Sequence, residues 1–240
     1  MRLSIPQNSA VIFILGCALT FSQGCTMIHR TSYDQKPFQQ IRPEAKLRVL
    51  FVGDSTAVGT GTGNRQTSVA GWFAKDHPEA HIVNRSRNGY KLLDVLHELE
   101  KQSSQRYDLI VVQAGANDIL RLTRLNSVRR NLEEVIKKSK AMSDHVAVLH
   151  SGNVGTAPIF WWPLTWIYSS RTQAVRNIYL EAEQRTGIYY IDLYALDTDE
   201  LFLKDKKKYY AGDYLHLSAE GYRVWYQAIR DELQARNVNL

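Results

Sequence analysis

Five short apolar runs, each closed by turn residues, constrain the fold of this chain more than any other feature. They lie at about Leu47–Val52, Ala80–Asn84, Tyr107–Gln113, His145–Leu149 and Ile188–Ile191. Val49-Leu50-Phe51-Val52 and Leu109-Ile110-Val111-Val112 are apolar at every position, the pattern of strands buried on both faces. Segments of helical periodicity separate the runs. Ser68 is placed to cap a helix through Lys75, which His77-Pro78 breaks. Leu92, Leu93, Leu96 and Leu99 mark the next helix, and Val128, Leu132, Val135 and Ile136 mark one after Asn126. Ala174, Val175, Ile178 and Ala182 form a further face, and Ser218 opens the last helix, with Tyr222, Trp225, Ile229 and Leu233 on its apolar side. Strands alternating with helices predict an α/β fold: a three-layer α/β/α sandwich around a five-stranded parallel sheet. Right-handed crossovers then gather the C-terminal ends of the strands at one edge, where ligands bind.

The 240 residues suffice for one domain with a sizeable core, expected over residues 46–240. Residues 1–24 read as a signal peptide: Arg2 precedes an apolar run, Ala10 to Phe21, that is too short to span a bilayer. Ser22 and Gly24 suit cleavage before Cys25, and the segment resembles a bacterial lipoprotein signal in which Cys25 carries the lipid. Ser22 departs from that pattern, which prefers an aliphatic residue there. Residues 25–45, polar and containing Pro37 and Pro43, read as a tether. The expected location is therefore outside the cytoplasm, in the periplasm or on the membrane-anchored cell envelope of a bacterium. Cys17 and Cys25 both precede the domain, so the domain has no disulfide, no thiol nucleophile and no thiolate metal ligand. The net charge of +6 is spread out, with concentrations at Arg121–Arg130, Lys137–Lys140 and Lys204–Lys208. Such runs form a solvated face or a polyanion site. No nucleic-acid-binding module is present, and an anionic glycan or lipid surface is the more natural partner.

The first strand ends in Gly53-Asp54-Ser55, which puts a hydroxyl just past its C-terminal end. A serine that attacks esters needs an imidazole to take its proton, a carboxylate to hold that imidazole, and donors for the oxyanion. Asp213 and His216 lie three residues apart on one loop before a helix, able to face the serine together. The backbone N–H groups of Ser55 and Gly89 and the amide of Asn117 are available as donors. Taken singly these residues are ordinary: a turn serine, a glycine for positive φ, a turn asparagine. Asp-x-x-His is especially unspecific, because Asp94-Val95-Leu96-His97 repeats it on the polar face of a helix. Asp54 reads as a loop-bracing acceptor and Asp118 as a stabiliser of the turn after the third strand.

Four blocks in order carry a family resemblance: Gly53-Asp54-Ser55, Asn84 to Gly89, Gly115-Ala116-Asn117-Asp118 and Asp213-Tyr214-Leu215-His216. From the first strand to the last helix the chain resembles the SGNH (GDSL-type) hydrolases. The resemblance implies a flavodoxin-like sheet, Ser55 as nucleophile, His216 as base and then acid, and Asp213 as its orienter. It implies Ser55, Gly89 and Asn117 as the oxyanion hole, and neither cofactor nor metal. Ala116 and Leu217 depart from the commoner Gly and Pro, at positions whose side chains perform no chemistry. The flanks of Ser55 are not the G-x-S-x-G elbow of α/β-hydrolases.

The expected function is hydrolysis of carboxylic esters on a small-molecule or glycan substrate. Deacetylation of an envelope polysaccharide, acyl transfer, and a non-catalytic glycan- or lipid-binding role are the alternatives. Residues Ser151–Ser170, with Phe160, Trp161, Trp162, Trp166 and Tyr168, have three readings: core packing, a substrate wall, or contact with a membrane interface.

Overall fold

The computed structural model describes residues 35–195 and 198–238. The leader, Cys25 and the first part of the tether lie outside the described residues. Five parallel strands form one sheet: β1 (Arg48–Gly53), β2 (His81–Asn84), β3 (Leu109–Gln113), β4 (Val146–Leu149) and β5 (Tyr189–Tyr190), in the order β2-β1-β3-β4-β5. The helices are α1 (Ser55–Val58), α2 (Val69–Asp76), α3 (Leu92–Lys101), α4 (Ala116–Leu120), α5 (Leu125–Met142), α6 (Leu164–Thr186), α7 (Thr198–Lys204), α8 (Lys206–Tyr209) and α9 (Ala219–Ala235). The expected three-layer α/β/α sandwich with a parallel sheet is the observed one.

Alternation along each central strand explains the unbroken apolar runs. Val49 and Phe51 of β1, with Leu109 and Val111 of β3, join a core completed by Phe73 of α2 and Tyr222, Trp225 and Ile229 of α9. Leu50, Val52, Ile110 and Val112 point the other way, into Leu92, Val95 and Leu99 of α3, Leu132 and Val135 of α5, and Val175 of α6. A strand with a core on each side has no face to leave polar.

Caps follow the sequence at two of the helices. Ser68 Oγ accepts from Gly71 N–H at 3.2 Å and Ser218 Oγ from Gly221 N–H at 3.2 Å, so each hydroxyl satisfies a first-turn donor. Leu93 differs from expectation. It is 42% exposed, because the buried stripe of α3 runs through Leu92, Val95 and Leu99. The helix marked by Val175 and Ile178 also starts earlier than the periodicity suggests, at Leu164, so Trp166 and Tyr168 are helical.

Residues 35–45, the described part of the segment read as a tether, lie along the domain. Gln40 forms an antiparallel bridge with Ile82, and Gln35 Nε2 donates to Gly59 O at 2.9 Å.

Candidate active site

The site is built where β1 and β3 end side by side. A Cβ on Gly53 would stand 2.0 Å from the carbonyl oxygen of Gln113, so only glycine lets the two strand ends approach this closely. Asp54 N–H donates to that same carbonyl at 2.9 Å, and the chain turns directly into α1. Asp54 caps the helix: its Oδ1 accepts from the N–H and the hydroxyl of Thr56, both at 2.8 Å. This is the bracing task expected of Asp54. Burial pushes its carboxyl up to about 6, against the two Thr56 bonds, which lower it. Ser55 opens α1, and its N–H therefore has no carbonyl within the helix to donate to.

Asp213 and His216 come from a small hairpin between α8 and α9. An antiparallel bridge joins Tyr210 to Leu217, and Ala211 N–H donates to His216 O at 2.8 Å. Within it, Asp213 Oδ1 accepts from the N–H groups of Leu215 (3.0 Å) and His216 (2.9 Å). Asp213 Oδ2 lies 2.7 Å from His216 Nδ1, and His216 Nε2 lies 3.0 Å from Ser55 Oγ. Burial works to raise the Asp213 carboxyl, but the His216 bond and charge and the two N–H bonds prevail and hold it down at about 2. Ionised at neutral pH, Asp213 can only accept, so the proton of the neutral imidazole sits on Nδ1. The Nε2 lone pair then faces the serine hydroxyl. A hydroxyl so placed can lose its proton as it attacks a carbonyl carbon.

Two more loops reach the same edge. After β2, Arg85 N–H donates to Phe51 O at 2.9 Å and Arg87 N–H to Gly53 O at 3.1 Å, which lays the loop against the end of β1. Gly89 follows with φ +80°, a conformation that side chains rarely adopt. After β3, Asn117 enters on α4 and its Nδ2 donates to Tyr90 O at 3.1 Å. That bond ties the two loops together and leaves the amide its second N–H. Asp118 does more than brace its own turn: Oδ2 accepts from Leu92 N–H at 2.9 Å and anchors α4 to the start of α3.

Ser55, Gly89, Asn117 and His216 line one cavity of about 1040 Å³, with Asp213 behind the imidazole. All five residues singled out in the sequence are thus brought together. Phe160 and Tyr168, from the aromatic segment for which a substrate wall is one reading, line the cavity, joined by Leu120 and Leu215, which spacing did not reveal. Arg87, Arg121 and Lys36 also border the cavity. Arg121 was visible only as the start of a basic run. The three tryptophans stay outside: Trp161, Trp162 and Trp166 are 59%, 78% and 68% exposed and are not among the lining residues, so they neither fill the core nor wall the cavity.

Fold and site together define an α/β hydrolytic enzyme with a serine at the end of its first strand. A family model, the GDSL-like lipase/acylhydrolase family, matches residues 51–224, and the chain belongs to that family. No curated protein matches it. Similar solved structures include TesA, at 17% identity and a TM-score of 0.64, covering 78% of this chain and 98% of that one. A lipase/acylhydrolase from Enterococcus faecalis is 21% identical with a TM-score of 0.61, covering 79% and 96%. An acetylxylan esterase from Geobacillus stearothermophilus is 18% identical with a TM-score of 0.57, covering 80% and 96%. At these identities the likeness is one of fold.

Proposed function

We propose that this hydrolase is an exported serine esterase that cleaves carboxylic esters with Ser55 as nucleophile. The observation that carries the proposal is the unbroken path Asp213 Oδ2–His216–Ser55 Oγ, at 2.7 and 3.0 Å, opening on a cavity shared with Gly89 and Asn117. Ser55 Oγ attacks the acyl carbon while His216 Nε2 takes its proton. The carbonyl oxygen becomes an oxyanion, met by the N–H groups of Ser55 and Gly89 and the free N–H of Asn117. Asp213 stabilises the imidazolium. Collapse expels the alcohol, which receives the proton from His216. Water then attacks the acyl-serine with His216 again as base, and the carboxylic acid leaves. The cavity has room for far more than an acetyl group, which favours substrates bulky on at least one side of the ester.

Turnover of p-nitrophenyl esters of increasing chain length by wild type and Ser55→Ala tests the reading. Wild type should hydrolyse them and the variant should not. A fluorophosphonate probe should label Ser55 alone. An unlabelled Ser55 in folded protein would favour the non-catalytic, ligand-binding role.

Export rests on the apolar run Ala10–Phe21 ahead of Cys25. Mass spectrometry of protein from the native envelope should find Cys25 at the N-terminus, with added lipid mass if it anchors the chain. A mature protein that still begins at Met1 would sink the idea.

A further inference from the structure

Two arginines flank the glycine of the proposed oxyanion hole. Arg87 stands two residues before Gly89, its N–H bonded to Gly53 O at 3.1 Å, and both residues line the cavity. Arg121, at the C-terminal end of α4, reaches in from the other loop: its Nη2 lies 3.3 Å from where a Cβ on Gly89 would be. Lys36 and Arg85 line the same cavity. Among the described residues none of these four cations is in an ion pair. Glu98, the single carboxylate in the lining among the described residues, is already engaged by Lys101 Nζ at 2.7 Å and the Tyr90 hydroxyl at 3.1 Å. Seven other described arginines, among them Arg129, Arg176, Arg185, Arg223 and Arg236, pair with carboxylates, while six outside the cavity do not, so what sets Arg87 and Arg121 apart is their shared cleft beside Gly89.

Cations that share a cleft repel one another, and a cleft focuses their field outward from its mouth. An anionic group on the bound molecule relieves that repulsion. Guanidinium groups are suited to it, since their N–H forks match the oxygens of carboxylate, sulfate or phosphate. We infer that the ester hydrolysed here carries an anionic group close to the scissile bond, held by Arg121 and Arg87 beside Gly89. The inference rests on the proposed esterase reading and narrows its substrate class. The anion can belong to the acyl part or to the alcohol part, and the two placements are separable by experiment.

On the acyl side, p-nitrophenyl hemiglutarate is compared with p-nitrophenyl valerate; on the alcohol side, 4-acetoxybenzoate with its methyl ester. At least one anionic member should be preferred in kcat/KM by about 10-fold at low salt. The preference should reside mainly in KM and shrink at about 0.5 M salt, where exposed charges are screened. Arg121→Ala should remove most of the preference, and Arg121→Lys should restore part of it by returning the charge. A second readout needs no turnover: NMR-detected binding of phenyl phosphate, against its neutral dimethyl ester, to Ser55→Ala protein with and without Arg121→Ala. Anion binding that depends on Arg121 while no ester is cleaved would overturn the esterase reading and keep the anion site. Ester hydrolysis with equal preference for charged and neutral members, and no binding of phenyl phosphate, would overturn the anion site and keep the esterase.

Discussion

Both oxygens of Asp213 are committed, Oδ1 to two backbone N–H groups and Oδ2 to His216, so the carboxylate holds its own loop and the imidazole together. Asp213→Asn would present an amide where His216 needs an acceptor and would favour the wrong tautomer. Its kcat on an aryl ester should fall by about 10⁴-fold if Asp213 orients the base. A loss below about 10-fold would remove it from that role. The lowered pKa of Asp213 also gives a stability signature. Its folded value lies below its unfolded one, so its contribution is present above about pH 4 and is lost as pH falls through about 2. Asn117→Ala should lower kcat by about 100–1000-fold if, as proposed, its amide donates to charge that exists only in the transition state. An effect confined to KM would argue that Asn117 merely positions Tyr90. At this scale the sequence was informative because the chemistry restricts residue type: hydroxyl, imidazole, carboxylate, amide. Spacing alone was not enough. Asp94 and His97 share the Asp-x-x-His pattern, yet Asp94 Oδ2 accepts from Lys91 N–H at the start of α3 and His97 is exposed. Arg121 shows the opposite failure, since nothing local distinguishes an arginine beside Gly89 from one on a solvated face.

The elements that carry the site are short, and their placement depends on contacts between strand ends. Gly53→Ala would drive a methyl group into Gln113 O, and backbone on both sides resists the shift. It should cost about 1–3 kcal/mol of stability and separate Ser55 from the β3 loop. Urea unfolding and ester turnover read the two effects independently, and a variant normal in both would contradict the close approach. The long elements were legible because burial enforces period: strands buried on both sides must be apolar throughout, and α9 must turn Tyr222, Trp225, Ile229 and Leu233 inward. Helices α1 and α4, of 4 and 5 residues, are too short to display a helical period. Leu93 shows the limit of that signal from the other direction. Its neighbours satisfy the spacing, but the stripe passes one residue away and leaves it exposed. The tryptophans of the α6 approach were misleading for a related reason: aromatic residues predict burial on average, and these three face outward.

Over the whole molecule, two buried groups give pH dependences of opposite sign. Asp54 is raised from 3.8 to about 6 by burial, so the folded protein holds a proton that the unfolded chain releases, and stability from this group falls as pH rises through that window. His150 is lowered from 6.5 to about 4 by burial, so the unfolded chain holds the extra proton and stability rises with pH between those values. Between about pH 4 and 6 the two slopes offset. Removing one should unmask the other: relative to wild type, Asp54→Asn should gain stability as pH rises through this range, and His150→Gln should lose it. Urea midpoints that stay parallel to wild type in both variants would refute the pair. The sequence could not disclose this balance, because neither residue is unusual until the sheet and helices enclose it. The reach of the His216–Ser55 contact has a consequence for the chain as it is made. The two residues are separated by 161 positions, with Ser55 just after the first strand and His216 just before the last helix. A chain emerging from its N-terminus presents a serine with no base until almost the entire domain has been synthesised. If Ser55 and His216 are nucleophile and base, chains that end before His216 are hydrolytically silent, and the onset of activity reports that synthesis has passed the Asp213–His216 loop.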